Sequence, residues 1–230
     1  MSASKPSRAT FYVDGFNLYH SVCSAGRVLP DAPVKWLNLK SLFASVLSSI
    51  EGHVEMGHIH YFTAYAEHLS QAAPDKLRRH KAYVRALTAS GVKVEVSHFK
   101  RKDVWDFDSR KQFVTHEEKE TDVAIACGVL EGAARDEFDV AVLVTGDTDL
   151  RPCVHAFRRL HEKKQLVFAF PFNRKNHELT RIAPGSFTIS AESYAKHQFP
   201  ERVQLPSGKH VYCPKEWLTG TTEHSDEGKL

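Results

Sequence analysis

Up to about residue 194, short apolar runs alternate with amphipathic stretches, and that alternation predicts the elements. Residues 9–14 (ATFYVD) form an aromatic and β-branched run closed by Gly15, the pattern of a strand. A helix begins near Leu18. Residues 35–50 carry Leu39, Leu42, Phe43, Val46, Leu47 and Ile50 at helical spacing. Residues 58–64 (HIHYFTA) read as a second strand. Pro74 precedes a basic helix over 75–89, with Leu77, Tyr83, Val84 and Leu87 on one side and Gly91 just past its end. Residues 92–99 alternate Val92, Val94 and Val96 with Lys93, Glu95 and Ser97, a third strand. Residues 100–116 break the pattern and fit a loop or hairpin. Residues 118–134 are apolar on most sides, which predicts a well-buried helix. A fourth strand over 138–144, a helix over 150–161 with Pro152 in its first turn, and a fifth strand over 165–170 complete the series.

Strands alternating with helices imply a mainly parallel sheet covered on both faces, with right-handed crossovers. The expected class is α/β, a three-layer α/β/α sandwich. After residue 194 the alternation stops. Residues 203–205 and 209–212, joined by Pro206-Ser207-Gly208, predict a small hairpin, and 219–230 is polar and expected to fray. The organisation that follows is one domain over 8–192 and an extension over 193–230. The extension, with Trp217, either clamps onto the core or forms a homodimer contact.

At 230 residues, 42% hydrophobic and 26% charged, the chain can bury a large core and does not read as disordered. No apolar run approaches the roughly 20 residues needed to cross a bilayer. The segment MSASKPSRAT has no apolar core, so a secretory signal is not expected and a cytoplasmic protein is. Cys23, Cys127, Cys153 and Cys213 form no zinc-ligand spacing and are expected as reduced, buried thiols. A net charge of +3 only mildly favours an anionic partner.

The chemistry concentrates in the acids. The run over 140–144 ends in Thr145-Gly146, followed by Asp147 and Asp149. Ligands of open α/β sheets bind just past the carboxyl ends of strands. Asp14 ends the first strand in the same way, and Asp122 lies in the first turn of the buried helix. Each has a plainer role: a turn residue for Asp14, a helix-dipole partner for Asp122, a loop acid for Asp147, an N-cap for Asp149. Their joint placement favours convergence. Crowded carboxylates raise one another's pKa, a divalent cation resolves the conflict, and all-oxygen ligation suits Mg²⁺ or Mn²⁺. Asn17 reads as an amide ligand, a phosphate donor or a helix cap. Thr145 and Thr148 could bond a phosphate or a metal-bound water, or simply the local turn. Lys100, Arg101, Lys102, Arg110 and Lys111, interleaved with Trp105, Phe107 and Phe113, supply cations and stacking surfaces for a nucleic-acid strand. Asp103, Asp106 and Asp108 dilute that patch, and a solvated hairpin tip fits it equally well. The basic helix, with Lys76, Arg78, Arg79, Lys81 and Arg85, is a second candidate surface, although a solvated helix face fits it somewhat better. None of the 14 histidines forms a metal motif.

Three segments, FYVDGFNLYHS, KETDVAIACGVLEGA and FDVAVLVTGDTDLRPCV, together resemble the NYN domain family, a PIN-like group of predicted ribonucleases that includes LabA-like bacterial proteins. The resemblance covers about residues 9–190. It implies a PIN-like α/β/α sandwich and metal-dependent cleavage of RNA to 5′-phosphate and 3′-hydroxyl ends. By motif, it implies Asp14, Asp122, Asp147 and Asp149 as the acidic, metal-holding set and Asn17 as the family's nearby amide. Thr145 and Thr148 stand where serines are usual. The acid often found after the fifth strand is missing from 183–187. The rival readings are a catalytically silent PIN-like RNA-binding or adaptor protein and a different Mg²⁺ phosphotransfer enzyme. Toprim-type sites expect a Glu at the first strand, and haloacid-dehalogenase phosphatases a second Asp within DGFNL. No P-loop or Rossmann glycine motif occurs.

Overall fold

The structure is a computed structural model that describes residues 5–67, 73–106, 111–183 and 185–218, with 101–104, 106 and 111–119 described as backbone. A seven-stranded sheet forms the middle layer, in the order β4-β3-β2-β1-β5-β6-β7. Six strands run parallel: β1 (Ser7–Asp14), β2 (Val54–Ala64), β3 (Lys93–Asp106), β5 (Val140–Val144), β6 (Gln165–Phe170) and β7 (Gly185–Thr188). β4 (Lys111–Lys119) is antiparallel to β3 at one edge. The sheet grows outward in both directions from β1 and β5, so these neighbours flank the topological switch point.

Strand alternation sorts the core into two layers. Val140, Val142 and Val144 of β5, with Ala9, Phe11 and Val13 of β1, face one side. There they meet α1 (Gly15–Val28), α2 (Leu39–Val46), α3 (Pro74–Ala89) and α7 (Ala191–Lys196). Ala141, Leu143, Tyr12, Phe62, Phe168 and Phe170 face the other, under α4 (Thr121–Ala134), α5 (Arg151–Leu160) and α6 (His177–Ile182). The expected three-layer sandwich is what forms, and central strands buried on both faces explain the continuous apolar runs.

Several boundaries move for local reasons. α2 starts at Leu39, because the Asn38 side chain accepts the Ser41 N–H and caps the helix there. Trp36 and Leu37 instead join the C-terminal segment: Leu37 bridges to Gln198, and the Trp36 indole donates to the Pro200 carbonyl at 2.9 Å. α4 starts at Thr121, because β4 runs to Lys119 and Glu120 turns the chain with φ of 79°. Residues 100–106 and 111–116 lie in a two-stranded ribbon, and 107–110 lie outside the described residues. β3 pairs with β2 only as far as Ser97 and then with β4 out to Asp106. The ribbon therefore extends past the C-terminal edge of β2 by about 30 Å at roughly 3.3 Å per residue. The sequence pattern does not mark β7, which is four residues long and half exposed.

The predicted hairpin is β8 (Arg202–Gln204) with β9 (His210–Tyr212). It packs on α3, and Trp217 lies 6.2 Å from the Trp36 ring and 6.3 Å from the Tyr83 ring. The extension thus clamps onto the core. Residues 219–230 lie outside the described residues. No described helix is long and apolar enough to cross a membrane. The cysteines are free thiols; Cys153 and Cys213 are buried, but Cys127 is exposed and Cys23 only partly covered.

Candidate metal centre

The switch point brings the acids together. β1 ends in Asp14, which caps α1: its Oδ1 accepts the Asn17 N–H at 2.9 Å. Its Oδ2 accepts the Thr145 hydroxyl, also at 2.9 Å, from the end of β5. Gly15 is required here, since a Cβ would lie 2.5 Å from the Phe62 carbonyl oxygen where α1 leaves the sheet beside β2. Asp14 is 6% exposed, so its position is set by packing as well as by these bonds.

The loop after β5 is tied at each step. The Thr145 hydroxyl also accepts the Asp147 N–H at 3.1 Å, and the Asp147 Oδ1 accepts the Asp149 N–H at 3.0 Å. The Asn17 Oδ1 accepts the Gly146 N–H at 3.1 Å, joining α1 to this loop. A Cβ on Gly146 would run into the carbonyl oxygen of Arg174, so only glycine lets the loop pass. Asp122 arrives from the opposite layer at the start of α4. That helix sits close to the sheet because Gly128 and Gly132 face Phe62 and Tyr12; a Cβ on Gly132 would lie 2.5 Å from the Tyr12 hydroxyl.

Asp14, Asp122 and Asp147 each offer a carboxylate oxygen, and these three atoms lie within 4.8 Å of one another. Asp149 is not in this group. It is exposed, on the first turn after Asp147, and contributes charge from the rim. Among the described residues, no lysine or arginine forms an ion pair with any of the three. The electrostatics follow. The Asp122 carboxyl is pushed up to about 6, first by burial and then by the charges of Asp147, Asp14 and Asp149. Burial also raises Asp14, with Asp147 adding to it; the bonds from Asn17, Thr145 and the Phe16 backbone oppose the rise. Burial and mutual repulsion disfavour the charged form of both acids, and a bound cation would relieve that cost. The donors are all carboxylate oxygens, which fits a hard divalent cation rather than zinc.

The other expected site residues divide. Thr145 is 1% exposed and its hydroxyl is committed to Asp14 and Asp147, so it orients the acids rather than facing a ligand. Asn17 has its oxygen engaged, which leaves its NH₂ as the group able to donate outward. Thr148 is half-buried beside Asp149. Lys100 is exposed on β3, and Trp105, near the far end of the ribbon, is 52% exposed. The side chains of Arg101, Lys102, Lys111 and Phe113, and the whole of Phe107 and Arg110, lie outside the described residues. Phe99 at the base of the ribbon meets Phe16 edge-on at 5.7 Å, which seats the ribbon beside the acids. The basic helix α3 spends much of its charge internally, since Arg78 meets Asp75 and Glu216, and Arg79 meets Glu216.

The NYN domain model matches residues 8–191. The chain is 28% identical to 6-hydroxy-3-succinoylpyridine 3-monooxygenase HspA from Pseudomonas putida (strain DSM 28022 / S16), over 93% of this chain and 76% of that protein. Among solved structures it resembles a protein of unknown function from Vibrio parahaemolyticus RIMD 2210633. That likeness has a TM-score of 0.54 at 16% identity and covers 83% of this chain and 97% of the other, so it speaks to fold alone.

Proposed function

This chain belongs to the NYN domain family, and from that premise we propose that it is a metal-dependent ribonuclease. The observation that carries the reading is the carboxylate trio at the switch point, within 4.8 Å and, among the described residues, in no ion pair with a lysine or arginine. Asp14, Asp122 and Asp147 would hold Mg²⁺ or Mn²⁺, with Asp149 adding charge at the rim. The cation supplies Lewis-acid activation of a phosphodiester and an acidified water.

The chain's own residues prepare that chemistry. Asn17 and Thr145 fix the Asp14 carboxylate by its two oxygens, so it need not reorganise when a cation arrives. The Asn17 NH₂ and the Thr148 hydroxyl would donate to phosphate oxygens. The ribbon beside the site offers Lys100 and Trp105 to the strand, and Arg101, Lys102, Arg110 and Lys111, close by in the sequence, are the further cations we assign to it. RNA is the substrate class we assign, and the cytoplasm the compartment.

A second reading comes from the P. putida relative, whose name denotes oxygenation of 6-hydroxy-3-succinoylpyridine. Its support is the length of the alignment. The trio lacks the imidazoles of a two-histidine, one-carboxylate iron site, which favours hydrolysis. The test is a time course on labelled single-stranded and hairpin RNA with Mg²⁺, Mn²⁺ or EDTA, for wild type and Asp147→Asn. Metal-dependent cutting that leaves 5′-phosphates and disappears in the variant is expected. Cutting unaffected by EDTA or by the substitution would sink the assignment. RNA bound but uncut would favour a silent binding module, and consumption of the pyridine with oxygen would favour the second reading.

A further inference from the structure

Arg174 packs its backbone against Gly146, in the loop between Thr145 and Asp147, and forms no ion pair with the acids. Its Nε is enclosed without a hydrogen-bond partner, and among the described residues it forms no ion pair. Arg8, Arg78, Arg135 and Arg151, by contrast, each meet a carboxylate. Enclosing a charged donor without a partner is costly and needs an explanation.

The position is built rather than incidental. Arg174 closes a turn after β6, with its N–H on the Pro171 carbonyl at 2.9 Å and Asn173 at φ of 58°. Two layers hold that turn: the Ser21 hydroxyl donates to the Phe172 carbonyl at 2.7 Å, and the Phe172 N–H donates to the Tyr194 hydroxyl at 3.1 Å. The Arg174 backbone abuts Gly146, and its Cβ lies 3.3 Å from where a Gly146 Cβ would be. Its side chain therefore springs from the wall of the loop that carries Thr145 and Asp147. His20, one turn beyond Asn17 on α1, sits within its influence: burial first, and then the Arg174 charge, lower the imidazole pKa. That favours a neutral His20 and leaves the guanidinium as the cation on this side. No ion pair joins it to the trio, so the anion it takes is distinct from one held at the trio.

We propose that Arg174 anchors the RNA strand by gripping the backbone phosphate next to the scissile one. A planar guanidinium suits the paired oxygens of a phosphate. The inference rests on the ribonuclease reading for the identity of that anion.

The experiment is fluorescence anisotropy of a labelled single-stranded RNA decamer in EDTA across a salt series. Wild type, Arg174→Gln and Arg174→Lys are compared, with thermal unfolding of each. Arg174→Gln is expected to weaken binding tenfold or more, to flatten log Kd against log salt by about 0.7, the value for one phosphate on a single strand, and to keep the wild-type midpoint. Arg174→Lys keeps the charge and is expected to restore the slope but only part of the affinity; it also decides the matter if the glutamine variant fails to fold. Unchanged affinity and slope in Arg174→Gln would overturn the inference, while metal-dependent RNA cutting by wild type would leave the ribonuclease reading standing. Weakened binding by the variant, with no cutting by wild type, would retain Arg174 as a phosphate anchor and remove the nuclease. No binding by wild type in EDTA would overturn the anchor, and no binding together with no metal-dependent cutting would overturn both.

Discussion

Replacing Asp122 with Asn should stabilise the metal-free protein while removing what it needs to bind metal. In the folded chain the Asp122 carboxyl is pushed from an ordinary value of 3.8 up to about 6, by burial and by Asp147, Asp14 and Asp149. The folded state therefore favours the proton, and stability is lost as pH rises through this window. The penalty is absent below pH 3.8 and complete above about 6. At about 1.4 kcal/mol per tenfold change, the rise corresponds to about 3 kcal/mol before screening. Asp122 is only half-buried, and solvent screening reduces this to about 1–1.5 kcal/mol. The assay is urea unfolding in EDTA at pH 7 and at pH 4. Asp122→Asn should gain about 1–1.5 kcal/mol at pH 7, or roughly 2–6 °C in midpoint for a chain of this size, and the gain should shrink at pH 4. Adding Mn²⁺ should reverse the order, because ligand binding stabilises only the chain that can bind it. A variant less stable than wild type at pH 7 in EDTA would refute the claim that the acids repel one another without a cation.

Two further outcomes follow from the same contacts. Thr145→Val removes the donor to Asp14 and the acceptor for the Asp147 N–H; it should cost about 1–3 kcal/mol and weaken Mn²⁺ binding roughly 10–100-fold, read by denaturation and calorimetry, whereas Thr145→Ser should stay near wild type. Trp217→Ala takes one ring from the Trp36–Tyr83 cluster; for a half-buried tryptophan, a loss of about 2–3 kcal/mol and a midpoint lower by about 5–10 °C are expected, and an unchanged midpoint would show that the extension does not clamp the core.

The sequence by itself determined the layer order and the neighbourhood of the site. A short β-branched run such as 140–144, closed by Thr145-Gly146, reads as a strand buried on both faces, and acids just after it point to the ligand edge. The helical spacing around Leu39, Leu42 and Phe43 likewise marked α2, because periodicity is a local property. The tertiary structure decided what depends on distance across the chain. The Thr145–Asp14 hydrogen bond spans 131 positions, and it turns a residue expected to touch substrate into one that orients an acid. Which acids meet was settled by how closely α4 approaches the sheet over Gly128 and Gly132, which brings Asp122 to Asp14 and Asp147 and leaves Asp149 at the rim. β7 was invisible because four half-exposed residues carry no periodic signal. Arg174 was invisible for a similar reason: nothing in FNRKN distinguishes a solvated arginine from one enclosed against Gly146, since its isolation from carboxylates is a property of the packed loops around it.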